Sequence, residues 1–237
     1  MTGKAFNRYR YLLALVLALV GVGVITHYAQ HPYHHDTTYQ TRADVPASHH
    51  TYPGALQAGQ KAVFFALEDN QGKIFDLEQA LEKGPVVLTF FRGNWCPLCA
   101  AHLKKLEAMK PAANQLGAQL VAISAQTPEK TARTQEKFGI SFPVLSDKNM
   151  QVTKAYGVAW QIPPKDRQGF ATWLDKSTGQ SLNDYQDIRQ VTDKFTLPVP
   201  ATYVIAPNGD IVYAHVDENY QNRAEPGTVL DALKALK

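Results

Sequence analysis

An α/β domain with helices on both faces of a mixed β-sheet is the architecture this chain predicts, and three observations carry it. Strand-like apolar runs alternate with helical stretches from Pro85 to Tyr156. An Asn208-Gly209 turn then joins two strand-like segments into an antiparallel hairpin. A last amphipathic helix closes the chain at Thr228–Lys237. With 237 residues, 45% of them hydrophobic, the chain can build a packed core, which excludes wholesale disorder.

Taken in order, Ala62–Leu67 and Lys73–Leu77 read as two extended pieces on either side of the turn Asp69-Asn70-Gln71-Gly72. Pro85–Phe91 is β-branched and aromatic without alternation, as a central strand covered on both faces requires. From Pro97 onward Leu103, Leu106, Met109 and Leu116 recur at helical spacing; Pro111 is expected to bend this helix and Gly117 to cap it. Leu120–Ser124 is a second buried strand. Thr127-Pro128-Glu129 supplies an N-cap, a proline at the first helical position and an acid in the first turn, and Gly139 ends that helix. Phe142–Ser146 reads as a third strand, Asp147–Tyr156 as a further helix, and Tyr203–Ile205 with Ile211–Val216 as the hairpin. Residues 158–195 lack a regular pattern and are too few for a separate core, so they read as an insertion within one domain, 54–237. This order is that of a thioredoxin-like sandwich.

The N-terminal quarter is different. Tyr11–Ala29 is about 19 residues without Asp, Glu, Lys or Arg, which at ~1.5 Å per residue nearly spans a ~30 Å hydrocarbon core. Lys4, Arg8 and Arg10 in the leader 1–10 precede it and no positive charge follows until Arg42, so the positive-inside rule places the N-terminus in the cytoplasm and the domain outside, in a periplasm or its equivalent. The segment predicts a single transmembrane anchor, 11–29, in the cell membrane; a cleaved signal peptide is the alternative, weakened because His27 stands where a small residue is needed for cleavage after Ala29. Residues 30–53 read as a flexible tether, and six of the eight histidines lie between positions 27 and 50. Net charge is +3, mostly in this leader, which leaves no clustered basic face for nucleic acid.

Cys96 and Cys99 are the only cysteines, which excludes a disulfide-stapled scaffold and a four-cysteine zinc site. Cys96 opens a helix, where unpaired N–H groups and the positive end of the dipole favour a thiolate. Cys99 follows almost one turn later, so the two sulfurs can meet and cycle between dithiol and disulfide. Trp95 can shield the pair, Pro97 starts the helix, and the charge of Arg92 can stabilise a thiolate. His102 is expected on the helix surface and His215 at a strand end. Pro200 directly precedes a strand; a cis bond there would turn the chain and present the Val199 backbone, whereas trans is the commoner state. No metal site is expected at the pair, although two thiolates with a distant histidine such as His215 would suit Cu(I) in a copper-handling protein.

Together FFRGNWCPLC, SAQTPEKTARTQEKFGISFPVLSD, KAYGV and PVPATYVIAPNGDIVYAHVDENYQNRAEP resemble the alkyl hydroperoxide reductase/thiol-specific antioxidant family, over about residues 58–237. Within it they resemble the peroxiredoxin-like branch that carries Trp-Cys-Pro-x-Cys. The resemblance implies a thioredoxin fold, no cofactor, and thiol-dependent reduction of peroxides or disulfides. The family's Pro-x-x-x-Thr/Ser-x-x-Cys pattern falls on Arg92, Cys96 and Cys99, making Cys99 peroxidatic; its activating arginine falls on Pro200. In the thioredoxin alignment Cys96 attacks instead and Cys99 resolves. The leading expectation is a membrane-anchored peroxidase with an antioxidant role, recharged by an external thiol reductant such as a thioredoxin-like donor. The alternative is exchange with protein disulfides.

Overall fold

The computed structural model describes residues 48–178 and 195–237. The leader, the apolar segment 11–29 and all of the tether but its last residues lie outside that range. Among the described residues no helix is long and apolar enough to cross a membrane.

A six-stranded mixed sheet forms the centre. Its strands are β1 (His49–His50), β4 (Val86–Phe90), β5 (Gln119–Ser124), β6 (Val144–Ser146), β9 (Ala201–Ile205) and β10 (Ile211–Val216), in the spatial order β1-β10-β9-β4-β5-β6. β4, β5 and β6 run parallel, as strand–helix–strand crossovers demand. β9 is antiparallel to both β4 and β10, with Val86 opposite Ile205 and Phe90 opposite Ala201. Because side chains alternate across a strand, Val87 enters one core layer while Val86, Leu88 and Phe90 enter the other, and every residue of β4 is buried. The apolar run without alternation is explained by this two-sided cover. Helix α2 (Pro97–Gln115) and helix α6 (Pro226–Lys234) cover the first face through Leu103, Leu106, Val229 and Leu233. The second face is closed by α1 (Leu77–Leu81), α4 (Gln151–Ala155) and Tyr156. α3 (Pro128–Phe138) starts at Thr127-Pro128 and ends at Gly139 in the left-handed conformation, although the Thr127 side chain makes no capping hydrogen bond.

Several expectations are corrected. The extended pieces shorten to β2 (Ala66–Glu68) and β3 (Ile74–Asp76), and Leu77 begins α1, whose N-terminus the Asp76 carboxylate caps by accepting from Gln79 N–H. The helix expected from Asp147 starts only at Gln151; the buried Asp147 carboxylate instead accepts from Thr153 N–H at 2.8 Å and Thr153 Oγ1 at 2.7 Å, anchoring its first turn. The end of the tether is part of the domain: β1 pairs in parallel with β10, and His49 and Thr51 both bond Asp217. The described part of the insertion, 158–178 and 195, is regular too. β7 (Ala159–Gln161) pairs antiparallel with β8 (Thr196–Pro198), and α5 (Arg167–Thr178) follows a 3₁₀ turn at Pro164–Asp166.

Candidate active site

The loop from β4 to α2 positions the cysteines. Gly93 has φ +154°, and a Cβ there would lie 2.6 Å from Trp95 Nε1, so the indole folds back only over a glycine. Gly93 C=O accepts from Cys96 N–H at 3.1 Å, and the Gln126 side chain accepts from Asn94 N–H at 3.0 Å. The chain thus enters the helix at a fixed angle. Cys96 is the N-cap residue: its backbone is extended, and its Sγ accepts from Cys99 N–H at 3.4 Å. The two residues are free thiols, Cys96 4% exposed and Cys99 fully buried.

Their environments differ. Burial alone would raise the Cys99 pKa, but a hydrogen bond from the Cys96 thiol, the Arg223 guanidinium, the Arg92 backbone N–H and the Arg92 charge bring it down to about 6. Arg223 Nη2 lies 3.9 Å from Cys99 Sγ. Cys96 moves the opposite way, first because its proton bridges to Cys99 and then because it is buried. The pair therefore shares one proton, and the negative charge is concentrated on the inner sulfur. Arg92 stacks over the Tyr220 ring at 4.0 Å and beside Trp160 at 5.8 Å. Burial lowers its pKa, and the two sulfurs oppose that shift. Arg92 Nε and Arg223 Nε and Nη1 are buried without a hydrogen-bond partner among the described residues.

Behind Cys99, His102 is buried rather than on the helix surface, because α2 turns this face toward the sheet. Its Nε2 lies 3.3 Å from Thr202 Oγ1, which is 3.1 Å from Thr89 Oγ1, and Thr89 donates to Ala201 C=O at 3.0 Å. Followed back from that carbonyl, the chain requires Thr202 to donate to Thr89 and His102 Nε2–H to donate to Thr202. Burial, then the charges of Arg223, His215 and Lys105, push the His102 pKa down to about 3, so the ring is neutral at physiological pH.

In front of Cys96 lies a cavity of about 980 Å³. Its walls are largely aromatic: Trp95, Trp160, Phe170, Trp173 and Tyr220, with Trp95 edge-on to Phe170 at 5.7 Å and to Trp173 at 5.9 Å. Cys96 lines this space, and Cys99 does not. A substrate entering here meets the outer sulfur first.

All seven residues singled out from the sequence come together. Cys96, Trp95, Pro97, Arg92 and Val199 border the cavity, and Cys99 and Pro200 lie just behind it. The Val199–Pro200 bond is trans, and Val199 N–H donates to Val158 C=O at 2.7 Å, so that donor is engaged within the protein. His215 lies within β10 and stacks on His49 at 4.9 Å, not on the cysteines. Among the described residues no three His, Cys, Asp or Glu side chains gather as a metal site. Reasoning from sequence missed Arg223, which reaches Cys99 across 124 positions, and Tyr220, Trp160, Phe170 and Trp173, which no local pattern ties to the cysteines.

A dithiol at a helix N-terminus, beside a mixed sheet of this topology, defines a thioredoxin-like redox protein. Residues 58–214 match the model of the AhpC/TSA family, and the chain belongs to that family. It is 36% identical over 103 residues to the thiol-disulfide oxidoreductase ResA of Halalkalibacterium halodurans, covering 43% of this chain and 57% of that protein. To ResA of Geobacillus thermodenitrificans it is 31% identical over 113 residues, 47% of this chain and 64% of that protein. The matches thus span about three fifths of these curated relatives. In fold the chain is similar to peroxidoxin BcpB from Mycobacterium tuberculosis, with a TM-score of 0.59 at 21% identity over 77% of this chain and 99% of that one. Peroxiredoxin Q of Xanthomonas campestris gives 0.54 at 19% identity over 72% and 90%.

Proposed function

We propose that the chain is a thiol-disulfide oxidoreductase that exchanges disulfides with protein partners through Cys96. The observation that carries this reading is the division between the sulfurs: Cys96 borders the open cavity, while the more acidic Cys99 is sealed behind it. The ResA names of its relatives point the same way. In the reductive direction the shared proton moves to Cys99, and the Cys96 thiolate attacks one sulfur of the substrate disulfide. That S–S bond breaks, and the departing thiolate takes up a proton. Cys99 then ionises, favoured by Arg223 and Arg92, and attacks Cys96 in the mixed disulfide. The second substrate thiol leaves, and two electrons have passed to the substrate. An external dithiol restores the pair. The basic leader and the apolar segment 11–29 support placing this chemistry on a membrane-anchored domain outside the cytoplasm.

Cys99→Ser is expected to accumulate a mixed disulfide on Cys96 when treated with a peptide disulfide, and Cys96→Ser to trap none. The opposite pattern refutes the assignment. A second reading, peroxide reduction, is favoured by the Cys99 sulfur beside Arg223 and Arg92. There the Cys99 thiolate would take one peroxide oxygen as a sulfenic acid, releasing an alcohol or water, and Cys96 would condense with it and expel water. Stopped-flow oxidation by hydrogen peroxide no faster than that of free cysteine sinks this second reading.

A further inference from the structure

The geometry points to a substrate class: a polypeptide in which a large apolar or aromatic side chain neighbours the reacting cysteine, the side chain entering the cavity that residues 160–173 line together with Trp95, Leu98 and Tyr220. The inference rests on the disulfide-exchange reading. The cavity of about 980 Å³ stands directly over the outer sulfur, and a disulfide or a small peroxide would leave most of it empty. Its aromatic walls, Trp95, Trp160, Phe170 and Trp173, give a bound group rigid apolar contact area at little entropic cost.

The apolar surface continues outside the cavity, which selects a polypeptide over a small apolar molecule. Of the five large hydrophobic side chains exposed among the described residues, three ring this opening: Leu98 at 39%, Trp173 at 43% and Tyr220 at 39%. A ligand wholly inside the cavity would leave those outer faces wet, whereas a chain passing over Cys96 would cover them. Lys165, Asp166 and Glu218 line the same space with charges of both signs, so no one sign of charge is selected. Arg92 is stacked on Tyr220 and faces the sulfurs, leaving apolar contact as the main discriminator.

The test uses two synthetic peptides of equal length, each with one cysteine held as a mixed disulfide with a chromogenic thiol. In one peptide both neighbours of the cysteine are Phe; in the other both are Ser. The reduced chain is expected to release the chromophore from the Phe peptide about 10- to 100-fold faster in kcat/KM, as full burial of one aromatic side chain allows. Trp173→Ser and, separately, Phe170→Leu should each shrink this ratio to about threefold or less; because the readout is a ratio, a general loss of activity does not imitate it. Equal rates with the two peptides overturn the inference and leave exchange standing. A preference undiminished in both variants also overturns it, by placing discrimination elsewhere. If neither peptide reacts, the exchange reading itself falls. If cumene hydroperoxide oxidises the chain far faster than hydrogen peroxide does, and Trp173→Ser abolishes that difference, the cavity belongs to apolar hydroperoxides instead.

Discussion

Replacing Arg223 with Met removes a positive charge from Cys99 while keeping an unbranched side chain in its place. Arg223 Nη2 is 3.9 Å from Cys99 Sγ. At that range and an effective dielectric of ~20 the attraction is about 4 kcal/mol, and solvent screening at this partly buried arginine brings it to about 2 kcal/mol. At 1.36 kcal/mol per pKa unit this is roughly 1.5 units. The thiolate of the pair, now titrating near about 6, should then titrate near ~7.5. Arg92 remains, so the value stops short of that of an unperturbed cysteine. At pH 7 the dithiol loses about 1.2 kcal/mol of ionisation free energy, and a less stable reduced form makes the couple about 25 mV more reducing. Ultraviolet thiolate absorbance against pH reads the first quantity, and equilibration with glutathione buffers reads the second. Arg223→Lys, which keeps a charge without the planar fork, should fall between. A midpoint that moves by less than about half a unit in the Met variant, or a potential that rises, refutes the role given to Arg223.

Other outcomes follow from the same structure. His102, neutral in the fold with its pKa pushed down to about 3, is protonated more readily when unfolded, so stability is full above ~6.5 and falls as pH drops below it, by about 2 to 3 kcal/mol at pH 4.5. His102→Leu should flatten that acid slope in denaturant titrations; an unchanged slope would assign it to other groups. For the dithiol the sign is the same, at higher pH. With Cys99 held below its unfolded value, its stabilisation is complete above about 8.5 and is lost as pH falls through about 6. Reduced minus oxidised melting temperature should therefore climb across that window, and a flat difference contradicts the shift. Gly157 has φ +68°, and a Cβ there would strike the Gly54 carbonyl, so Gly157→Ala should cost about 2 to 4 kcal/mol by calorimetry.

How much of this was readable in the chain depends on sequence distance. β4, α2, α3 and the Asn-Gly hairpin declare themselves, because burial on two faces, helical spacing, caps and turn residues are local signals. The same holds for Trp95-Cys96-Pro97-Leu98-Cys99, whose chemistry lies within one helical turn. α1 is missed because five residues are too few for a period to show. The length of α5 was hidden by prolines and glycine at its start, although Phe170 and Trp173 lie one turn apart on its face toward Trp95. Arg223 could not be anticipated, since nothing near it in sequence refers to Cys99. His102 was misplaced because α2 has weak amphipathic contrast and buries a polar residue against two threonines of the sheet.

The two possible alignments of the motif disagree over which cysteine attacks, and the structure explains how both can be drawn from one sequence. Attack on a bulky partner demands access, whereas ionisation demands positive charge and hydrogen-bond donors. Here these requirements fall on different sulfurs: the cavity opens on Cys96, while Arg223 and the Arg92 N–H converge on Cys99. In a dithiol that shares one proton the separation is workable, because moving the proton inward charges the outer sulfur when a substrate is seated. In the proposed disulfide exchange it also serves the second half of the cycle. Once Cys96 is tied up in a mixed disulfide it can no longer donate to Cys99, and only the two arginines and the backbone keep the resolving thiol acidic. Arg223 should therefore matter more for resolution than for first attack, so in Arg223→Met the mixed disulfide should persist longer at pH 7 than in the parent chain.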